Sequence, residues 1–94
     1  MSLSNLRKEI DKIDYQIHDL LNQRAKIALE VGKKKIEEDG ENVEFFRPER
    51  EKAILEAVSE YNQGPLSNEA VAHIFRVILQ ECCELQINTY QKSE

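Results

Sequence analysis

The sequence predicts an all-α fold: three helices per chain, a long first helix, and an intertwined helical homodimer. Three observations carry this expectation. Leu3, Leu6, Ile10, Ile13, Ile17, Leu20, Arg24, Ile27 and Val31 recur at alternating steps of three and four, an a/d heptad stripe of a helix packed on other helices. No proline precedes Pro48, and Gly32 is the only glycine before Gly40. A helix from about Asn5 to Ile36 would then reach roughly 48 Å at ~1.5 Å per residue. A compact chain of this length is only about 30 Å across, so a second copy is needed to cover the helix. The alternative, a break at Gly32, shortens the helix by one turn only. Lastly, no stretch shows strand alternation, and no internal repeat occurs.

Each element has its own signals. Ser4 or Asn5 is placed to cap the first helix. Its polar face carries opposite-charge pairs such as Arg7–Asp11 and Glu30–Lys34, and Lys33, Lys34 and Lys35 suit the negative end of the helix dipole. Glu37 to Glu44, with five acidic residues and Gly40, reads as a loop. Phe45 and Phe46 then tuck the chain back against the helices. The second helix starts at Pro48, buries Ile54, Leu55, Val58 and Tyr61, and stops at Gly64-Pro65. Ser67 caps the third, which runs to about Tyr90 with Val71, Ile74, Phe75, Ile78, Cys82, Leu85 and Thr89 on its inner face. Gln86 follows Phe75 by three turns and faces inward too, so its amide must find partners.

The 94 residues are read as one domain, 1–94, with a core small enough to favour association. The net charge of −5 argues against nucleic-acid binding. No long apolar run suggests a membrane span, and no secretory signal is present. Cys82 and Cys83 are adjacent, which suits two reduced core thiols of a cytoplasmic protein better than a disulfide framework. His18 and His73 have no metal-ligand spacing, so no metal is expected.

Several polar residues stand on apolar faces. Arg24 occupies a seam position where an aliphatic side chain belongs, and a charge there needs a partner. Arg50 and Glu51 lie one turn before Ile54 and Leu55 and so flank the buried face. Lys35 falls on the same side of the first helix as Arg24, ~16 Å further along. With Gln86 these groups form a mostly cationic set, without a Ser/His, Cys/His or metal constellation. Such a pocket suits a small polyanion and would act by positioning and electrostatics. Arg7 lies ~25 Å from Arg24 along the helix. The two can serve one small ligand only if an antiparallel copy brings its Arg7 beside Arg24.

From Leu6 to Gln86 the sequence resembles the all-α chorismate mutase family. The matching segments are Leu6-Arg7-Lys8-Glu9-Ile10-Asp11 with Asp14, then Leu20-Leu21-Asn22-Gln23-Arg24, and Val31-Gly32-Lys33-Lys34-Lys35. Pro48-Glu49-Arg50-Glu51 and the stretch from Ile74-Phe75 to Leu85-Gln86 complete them. Their order and spacing carry the match. The resemblance implies rearrangement of chorismate to prephenate, without a cofactor, on the route to phenylalanine and tyrosine. It implies that Arg24 and Arg7 of the other subunit bind the two carboxylates of this dianion. Lys35 and Gln86 would hydrogen-bond the ether oxygen, Glu51 would hold the ring hydroxyl, and Arg50 would support that side. Cys82 stands where many members have a serine touching a carboxylate. Arg47 stands where some have an acidic residue capping the second helix. Two other readings fit the same residues: an isochorismate-pyruvate lyase on this fold, or a non-catalytic module that binds chorismate or prephenate to regulate another enzyme. The segment holding Lys35 and the Pro48-Glu49-Arg50-Glu51 start favour the mutase.

Overall fold

A computed structural model describes residues 2–91. The elements run α1 (Leu3–Asp39), one 3-10 turn (Gly40–Asn42), α2 (Pro48–Tyr61) and α3 (Asn68–Tyr90). No strand occurs among the described residues. The expected all-α, three-helix architecture with a long first helix is therefore present.

α1 passes through Gly32 unbroken for 37 residues. Its cap is Ser2, ahead of the expected Ser4 or Asn5: the Ser2 hydroxyl accepts from the Asn5 N–H at 3.1 Å. The far end also differs from expectation. Glu37, Glu38 and Asp39, read as loop, are helical. Glutamate is a good helix former, and Lys34 lies 3.7 Å from Glu37 across one turn. The stop is Gly40, whose φ of 59° suits glycine and whose N–H bonds back to the Ile36 carbonyl.

α2 begins at Pro48 as expected, with Glu49 and Glu51 in its first turn. It ends at Tyr61, before Gly64-Pro65, because Asn62 organises the turn. The Asn62 amide donates to the Leu66 carbonyl and to Asn68 Oδ1, both at 2.8 Å, and its oxygen accepts from the Gly64 N–H at 3.2 Å. Tyr61, expected in the apolar face, is 85% exposed at the helix end. Ser67 caps α3 through the Ala70 N–H at 3.0 Å.

α3 lies between α1 and α2 and packs on both. Val71, Phe75, Ile78, Cys82 and Leu85 are half-buried there, whereas Ile74 and Thr89 are exposed. α1 gains cover only in its second half. Every residue from 2 to 23 is exposed, and the heptad stripe lies bare: Ile10 is 56% and Leu20 62% exposed. The chain is accordingly elongated, 56 × 28 × 20 Å, with a radius of gyration of 16.6 Å. A compact chain of this length would have about 12 Å. A continuous exposed apolar stripe of this length marks an interaction surface. No helix among the described residues is long and apolar enough to cross a membrane.

Candidate active site

The site forms where α3 packs on α1, and a glycine lets side chains of α3 approach closely. Gly32 is buried, and a Cβ there would lie 3.1 Å from Tyr90 Cε2 and 3.3 Å from Gln86 Cγ. The bare Cα lets Gln86 reach the backbone of α1. Gln86 is 6% exposed, and its Nε2 donates to the Ala28 carbonyl at 2.6 Å. A primary amide carries two N–H donors, so one remains for a ligand. No buried side-chain nitrogen or oxygen among the described residues lacks a partner.

Lys35 sits one turn beyond Gly32. Its Nζ donates to the Phe45 carbonyl at 3.0 Å, which leaves two ammonium donors. Phe45 is itself buried, and its ring centroid lies 6.2 Å from that of Tyr90. Partial burial holds the Lys35 pKa below 10.5, and the Arg47 guanidinium adds to the depression; Cys83 and Asp39 pull the other way. Burial pushes the Cys83 thiol up, against the pull of Lys35 and with Glu84 and Glu51 adding to the rise. Cys83 is therefore held as a neutral thiol at ordinary pH.

Arg24 reaches α3, where its Nη1 donates to Cys82 Sγ at 3.2 Å. A thiol is a weak acceptor, so the guanidinium keeps most of its capacity for an anion. Arg50 and Glu51 enter from the first turn of α2. Arg47 caps that helix by backbone only; its Nη2 lies 3.4 Å from Asp39 Oδ2.

These groups share one cavity of about 330 Å³, the size of a small-molecule site. Ile27, Val31, Ile54 and Leu79 supply its apolar wall. Arg24, Lys35, Arg47 and Arg50 supply four cations against the single carboxylate of Glu51. Cys82, Cys83 and Gln86 close the α3 side. A larger groove between α2 and α3 mixes Lys52 and Arg76 with Glu56 and Glu60 and gathers no cationic excess.

Six of the seven residues singled out in the sequence thus meet at one cavity: Arg24, Lys35, Arg50, Glu51, Cys82 and Gln86. Arg7 does not. It lies on the exposed half of α1, outside this cavity. Sequence reasoning passes over Cys83, the Phe45 carbonyl and Tyr90. One signal could have pointed to the last: Gly32, a lone glycine inside a long helix, marks a close approach.

The arrangement can bind a compact dianion and stabilise negative charge within it, and it pairs no nucleophile with a base. The chain is 42% identical over 86 residues to a bifunctional chorismate mutase/prephenate dehydratase of Stutzerimonas stutzeri, and 41% identical over 88 residues to one of Aquifex aeolicus. Both matches cover 89% of this chain and 24% of the relative; the chain spans about a quarter of the length of these curated relatives. Its fold matches that of a chorismate mutase (form II) from Thermus thermophilus, with a TM-score of 0.85 and 26% identity over 97% of this chain and 98% of the other. It also matches a Helicobacter pylori chorismate mutase in complex with prephenate, with a TM-score of 0.83 and 27% identity over 98% of this chain and 97% of that one. Residues 6–87 match the sequence pattern of chorismate mutase type II, and the chain belongs to that family.

Proposed function

We propose that the chain converts chorismate to prephenate in the cytoplasm, as a homodimer without a cofactor, in phenylalanine and tyrosine biosynthesis. The observation that carries this reading is the convergence of Arg24, Lys35 and Gln86 on one small cavity. The prephenate bound to the Helicobacter pylori relative supports it. The reaction is a pericyclic rearrangement in which the ether C–O bond breaks as a C–C bond forms. It needs no proton transfer. It needs the flexible dianion held in a folded conformation and charge stabilised on the ether oxygen.

Each residue then has a task. Arg24 binds one carboxylate with the guanidinium donors that the weak Cys82 contact leaves open, and Cys82 borders the same carboxylate. Lys35 and Gln86 donate to the ether oxygen with the N–H groups not spent on Phe45 and Ala28. Both contacts strengthen as that oxygen gains charge, which is where binding energy accelerates a reaction. Glu51 accepts from the ring hydroxyl, and Arg50 supports that side. The second carboxylate takes Arg7 of a second copy, whose α1 lies along the bare heptad stripe. The whole of 1–94 then acts as one mutase domain. Product identification tests the reading. Chorismate should disappear with prephenate as the sole product. Pyruvate released from isochorismate would favour a lyase, and binding without turnover a regulatory module.

A further inference from the structure

We propose that Tyr90, which lies beyond the matched residues 6–87, is a positioning residue that fixes both Lys35 and Gln86 for the reaction. This rests on the mutase reading of the cavity. Tyr90 closes α3 and touches three things. Its hydroxyl donates to the Leu29 carbonyl at 2.9 Å. Its ring packs against Phe45, with centroids 6.2 Å apart. Its ring edge faces the bare Cα of Gly32, where an added Cβ would come within 3.1 Å.

Side chains four residues apart stack on one helix face, so the missing side chain at position 32 uncovers the carbonyls one turn earlier. Two side chains of α3, one turn apart, use that opening. Gln86 takes Ala28, and Tyr90 takes the next carbonyl, Leu29. The Tyr90 anchor therefore sets the spacing of α1 and α3 at which the Gln86 amide makes its 2.6 Å contact. Through its ring, Tyr90 also backs Phe45, whose carbonyl receives Lys35 at 3.0 Å. One side chain thus supports both groups assigned to the ether oxygen without lining the cavity itself. The cost of losing it falls on geometry, where a shift of about 1 Å can lower a rate about 100-fold.

The experiment compares wild type, Tyr90→Phe and Tyr90→Leu by two readouts. The first is kcat and KM with chorismate. The second is the titration of Lys35 followed by NMR of labelled lysine side chains, assigned with Lys35→Met, which needs no turnover. The groups facing Lys35 are Arg47 before α2, Asp39 on α1 and Cys83 on α3, and neither variant changes them. Tyr90→Phe keeps the ring and loses the anchor, so kcat should fall about threefold or more with KM little changed. Tyr90→Leu also releases Phe45. Its kcat should fall about 10- to 100-fold, and Lys35, now better hydrated, should titrate closer to 10.5. An unmoved Lys35 titration in folded Tyr90→Leu overturns the proposal. So does wild-type kcat in Tyr90→Phe, which decides the matter if Tyr90→Leu does not fold. A wild type that leaves chorismate untouched, with Lys35 still moved in Tyr90→Leu, would refute the mutase reading and leave the positioning role standing.

Discussion

Lys35 is tied to the main chain of Phe45: its Nζ donates to the Phe45 carbonyl at 3.0 Å, across ten positions of sequence. The bond orients a flexible side chain before any ligand arrives, so little reorganisation is left to the reaction. Removing a preorganised donor of this kind usually lowers kcat by about 10²–10³. Lys35→Ala should show such a loss, with a smaller change in KM, because the contact matters most when the ether oxygen carries charge. Steady-state kinetics on chorismate checks this. A near-normal kcat would leave Lys35 as a structural tie to the Phe45 carbonyl alone.

On the proposed mechanism the same lysine should set an alkaline limit. Its pKa lies below 10.5 through burial first and the Arg47 guanidinium second. The proposed mechanism uses the protonated form, so kcat/KM should fall as pH rises through a value below 10.5. The profile of kcat/KM reports the free enzyme. Substrate carboxylates favour the ammonium, so the limb in kcat should lie at higher pH. Arg47→Gln removes a like charge and should move the kcat/KM limb upward. A limb unchanged by Arg47→Gln would mean that Lys35 does not govern it.

Gln86→Glu tests the amide. Glutamine donates at any pH, whereas glutamate donates only when protonated. Ionised, it would set a carboxylate against the Ala28 carbonyl that now receives Nε2 at 2.6 Å, and against an oxygen gaining charge. Burial raises the carboxyl pKa and Lys35 lowers it, but the sign of the activity change is fixed. The variant should be slow at about pH 8 and recover as pH falls through its carboxyl pKa, a recovery that wild type, whose amide does not titrate, should not show. A Gln86→Glu enzyme as fast as wild type at about pH 8 would remove Gln86 from the mechanism.

The long α1, the cap of α3 and the inward Gln86 are legible because each rests on a local rule: heptad spacing, a capping serine, a polar residue at an apolar position. Six of the seven chosen residues meet at the cavity because helical periodicity fixes which side chains share a face. What stays hidden depends on contacts distant in sequence or on competing local signals. Acidic composition reads as loop and masks the extension of α1 to Asp39, when only Gly40 has the backbone freedom to end the helix. The turn after α2 is also tied by Asn62, through two amide bonds of 2.8 Å, beside the more conspicuous Gly64-Pro65, whose Gly64 has a φ of 76°. Tyr61 satisfies the helical spacing but lies at the end of α2 in solvent. The ties of Tyr90 to Leu29 and of Lys35 to Phe45 join segments that no periodicity relates.

The proposed mechanism depends on a site completed by a second copy. Arg24 lines the cavity, Arg7 lies outside it on the exposed half of α1, and the apolar stripe between them is bare. The direct measurement is subunit complementation. Arg7→Ala and Arg24→Ala proteins, each inactive alone, are mixed in equal amounts under conditions where exchange is verified by mass. Random pairing makes half of the dimers mixed. In each of these, a two-fold axis gives one site with both arginines and one with neither, so about a quarter of wild-type activity should return. Proven exchange with no recovery would contradict the shared site and place both arginines' work within one chain.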